Sequence, residues 1–203
     1  MSLFKRLLNP NYKAEEKAKR ADTSDTSSYF PEEKLPIDEK FTYNFKNNGG
    51  KFIYCENWDE IIEAFDNIML ENDWYEQDVF CVNEKLSKRF EGFNLNFVRN
   101  PESTFFLSTC EALVSNNGSI LLSSNQVKEK KLKELPSNFI IFATTSQMVD
   151  TISEGLRTIK NQSTGYIPSN ITTIQNFEIE KEKNFMSYGS SSKNLYLLLL
   201  EDL

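Results

Sequence analysis

Phe139-Ile140-Ile141-Phe142-Ala143-Thr144-Thr145-Ser146, followed by Gln147 to Lys160, reads as a strand, a hydroxyl-rich loop and a helix. Phe139 to Ala143 is continuously apolar, the pattern of a central strand covered on both faces. Thr144-Thr145-Ser146 then breaks the pattern, with Ser146 as the expected N-cap. Met148, Val149, Ile152, Leu156 and Ile159 recur at helical spacing and form the expected inward face of a helix over 147–160. A strand feeding a helix through a short polar loop is a βα unit. Ligands of open α/β sheets gather where such strands end. Thr144, Thr145 and Ser146 are therefore candidate ligand-binding residues.

Upstream, Cys110 to Ser124 holds two apolar runs, Ala112-Leu113-Val114 and Ile120-Leu121-Leu122, around Ser115-Asn116-Asn117-Gly118-Ser119. Two short β-compatible runs about an Asn-Gly step predict a hairpin. Asn and Gly accept the positive φ that a tight turn needs. The plain reading is a surface hairpin. The sharper one has the backbone amides and hydroxyls of Asn116, Asn117, Gly118 and Ser119 facing a pocket.

The same pattern extends outward. Asn47-Asn48-Gly49-Gly50 stops a helix or makes a turn, and Lys51 to Cys55 is a short strand. Asn57 is a plausible N-cap with Glu60 at N3, opening a helix to about Glu71. Asp78–Val82 and Phe93–Val98 are strand-like, Glu84–Phe90 is a short helix, and Gln126–Glu134 is a charged loop or single helical turn. Ile171–Ile179 leans to β, Tyr188–Lys193 is a small-residue loop, and Asn194–Leu200 is a second buried-type strand. Alternating strands and helices give the class α/β, a mostly parallel or mixed sheet with helices on both faces. Residues 1–38 read as a weakly ordered basic and polar arm, and 39–203 as one domain.

Histidine is absent from the sequence, which excludes Ser-His-Asp and Cys-His catalysis and His-ligated metal sites. Cys55, Cys81 and Cys110 are far apart in sequence and sit among apolar neighbours. Buried free thiols are expected, with no C-x-x-C ligand pair and no metal site. A net charge of -7 argues against general nucleic-acid binding. No apolar run is long enough to span a bilayer, and no secretory leader is evident, so a cytoplasmic location is expected. Residues 1–20 carry six basic and two acidic residues, an arm of opposite sign to the body, read as a solvated tail or a docking arm.

With its pieces in this order the protein resembles the LUD-domain family, in particular the lactate utilisation protein C group (LutC/YkgG-like), over roughly residues 40–203. That family places an Ala-acidic-Thr-Gly-Thr/Ser turn between two apolar strands, where Ser115-Asn116-Asn117-Gly118-Ser119 stands here. Glu134-Leu135-Pro136, the strand from Phe139 and the following helix keep the family order, as does a Gly-containing loop before the last strand, Gly189 to Leu200. Three departures stand out. Asn116 and Asn117 replace the acidic residue and Thr, Gln175 to Lys183 does not match the family's Gly-Pro-Ser-basic-Thr-Ala-Asp-Ile-Glu segment, and Gly189-Ser190-Ser191-Ser192 replaces a His-Gly-Pro type loop. A divergent branch with another ligand and a copy whose pocket has decayed both fit these departures.

The resemblance implies a fold similar to the NagB/RpiA/CoA-transferase group, with three α/β/α layers. It implies a non-redox accessory subunit in lactate or 2-hydroxy acid utilisation, with iron–sulfur partner subunits carrying the redox chemistry and no cofactor on this protein. A small anion would bind through Asn116–Ser119 and through Gly189, Ser190 and Ser191, helped by a helix N-terminus near Ser146. Two other readings stay open. A CoA-transferase or isomerase-like enzyme needs a reactive carboxylate, for which Glu111, beside the turn, is a weak candidate. A pure protein-interaction module needs none.

Overall fold

The computed structural model describes residues 35–163, 165–177 and 193–202. The described residues run α1 (Ile37–Asn47), β1 (Lys51–Cys55), α2 (Trp58–Asn72), β2 (Asp78–Phe80), α3 (Glu84–Arg89), β3 (Asn96–Val98) and β4 (Phe105–Thr109). They continue through β5 (Ala112–Val114), β6 (Ser119–Leu122), α4 (Ser124–Val127), β7 (Asn138–Thr144), β8 (Met148–Val149), α5 (Ile152–Gln162), β9 (Thr172–Ile174) and β10 (Asn194–Leu200).

The two continuous apolar runs lie side by side. β10 and β7 pair in parallel, Leu195 opposite Phe139 and Leu200 opposite Thr144, inside a six-stranded sheet of order β1-β10-β7-β4-β2-β3. All five pairings in that sheet are parallel. Alternate side chains face opposite sides. Leu195, Leu197, Leu199, Phe139 and Ile141 pack with Phe41 and Phe45 of α1 and with Leu113, Ile120 and Leu122. Ile140, Tyr196 and Leu198 face the other way, against Ile61, Phe65, Ile68 and Met69 of α2 and Leu86 of α3. Phe41, Phe45, Phe65, Phe105, Phe106 and Phe139 are fully buried, and burial of each stabilises the fold by about 1.5–3 kcal/mol.

The third layer is a second sheet beside α1, of order β8-β5-β6-β9. The predicted hairpin forms within it: Leu113 lies opposite Ile120 and Val114 opposite Ser119, antiparallel. Leu113, Ile120 and Leu122 face the large sheet, while Ala112 and Leu121 pack on Ile159 of α5. The result is a three-layer α/β fold in which a small mixed sheet shares one outer layer with α1.

Several expectations are corrected. The helix does not start at Gln147: Met148 and Val149 pair with Leu113 and Val114 as β8, and the helix begins at Ile152. Thr151 is its N-cap, accepting from the Glu154 amide. β-branched Val149 and Thr151 favour extended backbone, and the edge of β5 offers free partners. Leu156 is 41% exposed rather than inward, and Gly155 and Ile159 form the packed face instead. β4, which includes fully buried Phe105, Phe106 and Leu107, is a central strand absent from the sequence reading. The helix opened by Asn57 is confirmed: Glu60 N donates to Asn57 Oδ1 at 3.0 Å, and Glu56 N donates to Glu60 Oε2 at 2.8 Å.

Candidate functional site

Six parallel strands bring their carboxyl ends to one edge. α2 and α3 leave β1 and β2 on one face, whereas the segments leaving β4 and β7 build the other face. Opposite departures from neighbouring β2 and β4 make a topological switch point, the usual position of a ligand crevice. Glu111 follows β4 there, and Thr144, Thr145 and Ser146 close β7 one strand over.

Gln147 joins these two strand ends. Its Nε2 donates to Cys110 O at 2.7 Å, and its Oε1 accepts from Thr144 N at 2.8 Å. Next to it the hydroxyl loop holds a carboxylate. Asp202 Oδ1 accepts from Thr145 Oγ1 at 2.9 Å and from Ser146 N at 2.8 Å, and Oδ2 accepts from Ser146 Oγ at 2.6 Å. Thr144 Oγ1 lies 3.0 Å from Ser146 Oγ. Partial burial pushes the Asp202 carboxyl up, but the donors from Ser146 and Thr145, backed by Thr144, outweigh it and hold the group below the ordinary carboxylate value. Thr145 is buried and Ser146 exposed, so the loop meets solvent along one side.

Glu111 is held on the same edge. Its Oε1 accepts from Ser123 Oγ at 2.5 Å and from Asn125 Nδ2 at 2.9 Å. Ser123 is fully buried as the N-cap of α4, so it fixes the carboxylate rather than presenting a nucleophile. A charge-assisted bond of this length orients Glu111 firmly. Lys130, after α4, stands 6.0 Å from the Phe80 ring at the end of β2, which puts one cation near the switch point.

The hairpin turn is built differently. Gly118 adopts φ +65, and a Cβ placed on it would stand 2.4 Å from the carbonyl carbon of Asn44 and the amide nitrogen of Phe45. The close approach at this turn is made by α1. Asn44 Nδ2 donates to Ser115 O at 2.8 Å, and Asn48 Nδ2 to Asn117 O at 2.7 Å. The amides of Ser115 and Asn116 donate to Val149 O and Asp150 O. The Ser119 amide and hydroxyl both donate to Asn117 Oδ1, at 3.2 and 2.8 Å. Asn116 alone among the four turn candidates is exposed, and Gly118 and Ser119 are buried. Among the described residues no hydrogen bond joins this turn to the Thr144–Ser146 loop, and the expected helix N-terminus near Ser146 belongs instead to Thr151. Gly189, Ser190 and Ser191 lie outside the described residues.

A model of the LUD domain matches residues 96–196, from β3 into β10, a span that includes Glu111, the hairpin and the hydroxyl loop. This is a LUD-domain protein. LUD domains are associated with lactate utilisation proteins. A crystal structure of a DUF162 family protein from Deinococcus radiodurans has the same fold, with a TM-score of 0.55 and 12% identity over 82% of this sequence and 96% of that one. No curated protein matches the sequence. Among the described residues no helix of this LUD protein is long and apolar enough to cross a membrane.

Sequence reading missed Gln147, Ser123 and Asp202. The first two carry a legible signal, since Thr144-x-x-Gln147 and Ser123-x-x-Gln126 both have the spacing of a capping box. Asp202 carries none, because only the adjacency of β10 and β7 brings it to the loop.

Proposed function

We propose that this LUD protein is a non-redox accessory subunit in lactate or 2-hydroxy acid utilisation that binds a small carboxylate at the carboxyl edge of its parallel sheet. The observation that carries this reading is the hydroxyl loop itself: two side-chain hydroxyls and one backbone amide converge on a carboxylate group. Such a donor set suits a monocarboxylate, whose two oxygens need several directed donors to replace water. Under this reading the redox cofactors reside on iron–sulfur partner subunits. Calorimetric titration with L-lactate, D-lactate and pyruvate, with glycerol as the uncharged control, tests it. Saturable heat with the acids, lost in Ser146→Ala, is expected; equal behaviour of acids and glycerol would remove the reading. Co-purification of a Cys-rich partner with the tagged full-length protein tests the subunit role.

A second reading, an acyl-transferring or isomerising enzyme, is favoured by one observation: Glu111 is fixed by Ser123 and Asn125 at the switch point. Acyl exchange between CoA and a carboxylic acid that survives Glu111→Gln would exclude Glu111 as the nucleophile.

A further inference from the structure

The donors of the hydroxyl loop are engaged by the protein's own carboxylate. Leu200, the last residue of β10, lies opposite Thr144, so Asp202 falls beside the loop that leaves β7. It makes three hydrogen bonds there, and its own amide donates back to Thr145 Oγ1 at 3.1 Å.

The clasp is not needed to hold the end of β10. That strand has seven residues between two parallel partners, and beyond it Glu201 N still donates to Cys55 O at 2.9 Å. The clasp is also open to exchange. Asp202 and Ser146 are exposed, and among the described residues no cation pairs with Asp202. Neutral donors at a wet surface give only modest net stabilisation to any carboxylate, internal or external.

We propose that Asp202 is a built-in competitor at the Thr144–Ser146 loop, a pseudo-ligand that an external small monocarboxylate must displace. This rests on the carboxylate-site reading given above. A tethered group acts at an effective concentration in the millimolar range or above, set by its short linker. The external acid therefore meets a partly occupied site, and its apparent affinity falls by the fraction of molecules in which the clasp is open. Binding would release Asp202 from the loop while Glu201 N keeps its bond to Cys55 O.

The experiment titrates the full-length protein with sodium L-lactate and sodium pyruvate at matched ionic strength, comparing wild type, Asp202→Ala, Asp202→Asn and the double variant Asp202→Ala/Ser146→Ala. Chemical shifts of the Thr145 and Ser146 amides are the readout. The expected result is a gain in affinity of about tenfold or more in both single Asp202 variants, lost again in the double variant. Equal affinity in wild type and Asp202 variants would overturn the competitor while leaving the carboxylate site standing. Absence of binding in every variant would overturn both. Asp202→Asn is nearly isosteric and keeps one acceptor, so it decides the question if Asp202→Ala does not fold.

Discussion

Gly118 lies directly against the backbone of Asn44, so close that a single added carbon would stand 2.4 Å from the Asn44 carbonyl carbon. The turn and the last turn of α1 are thus one packed unit, with Asn44 and Asn48 hydrogen-bonding across it. Gly118→Ala must both hold a left-handed φ and push the helix back. A loss of at least about 3 kcal/mol is expected in urea unfolding. Asn117→Ala removes only side-chain bonds to Ser119 and is expected to lose about 1 kcal/mol. Similar losses in the two variants would mean that α1 is not seated on the turn.

Asp38 presents the opposite imbalance. It is 5% exposed, and neither carboxylate oxygen has a hydrogen-bond partner among the described residues. Its position in the first turn of α1 is favourable by about 0.3–1 kcal/mol, whereas a buried polar group left without a hydrogen bond costs about 1–3 kcal/mol. Desolvation wins, so Asp38→Leu is expected to raise stability by about 1–3 kcal/mol in chemical denaturation. A loss of stability would show that the carboxylate has a counter-charge that the described residues do not supply.

Lys193 is buried beside Phe139, and its Nζ donates to Leu135 O and Pro136 O at 2.9 and 2.8 Å. Burial pushes its pKa down from 10.5 to about 8. Below pH 8 both the folded and the unfolded protein carry the charge, and the folded state bears the full burial penalty. Between about 8 and 10.5 the folded state has lost the proton that the unfolded state still holds, so this group makes stability rise with pH. The rise is at most about 3 kcal/mol. Stability of wild type minus that of Lys193→Met, measured from pH 7 to 10.5, should increase through this window; a flat difference would show that Lys193 titrates normally.

Burial pushes Cys55 and Cys81 up to about 11, with Glu60 and Glu63 adding to the effect at Cys55, and pushes Cys110 higher still. A thiolate is the reactive species, so all three thiols are expected to resist iodoacetamide at pH 8 in the folded protein and to react after denaturation. Rapid labelling of one thiol without unfolding would reveal local opening at the end of its strand.

Much of the fold is legible locally, and the reason is periodicity. The continuous apolar runs at Phe139–Ala143 and Leu195–Leu200 have the pattern of strands buried on both sides, and they became the two neighbouring inner strands β7 and β10. Asn57 and Glu60 announced α2 through cap chemistry, which acts within four residues. Met148 and Val149 misled because a short apolar pair fits a helix and a strand equally well, and the edge of β5 decided between them.

The sequence by itself determined an α/β protein, the hairpin between Ala112 and Leu122, the buried thiols and the loss of all histidine-based chemistry. Those properties depend on residue type and near neighbours. Only the tertiary structure decided that Gly118 makes room for α1, that Ser123 and Asn125 fix Glu111, and that Asp202 fills the Thr144–Ser146 loop. Ser146 and Asp202 are 56 positions apart, and parallel strands meet only through long crossovers. Which strand lies beside which is set by how the layers bury their apolar faces together, and no local stretch of sequence holds that information.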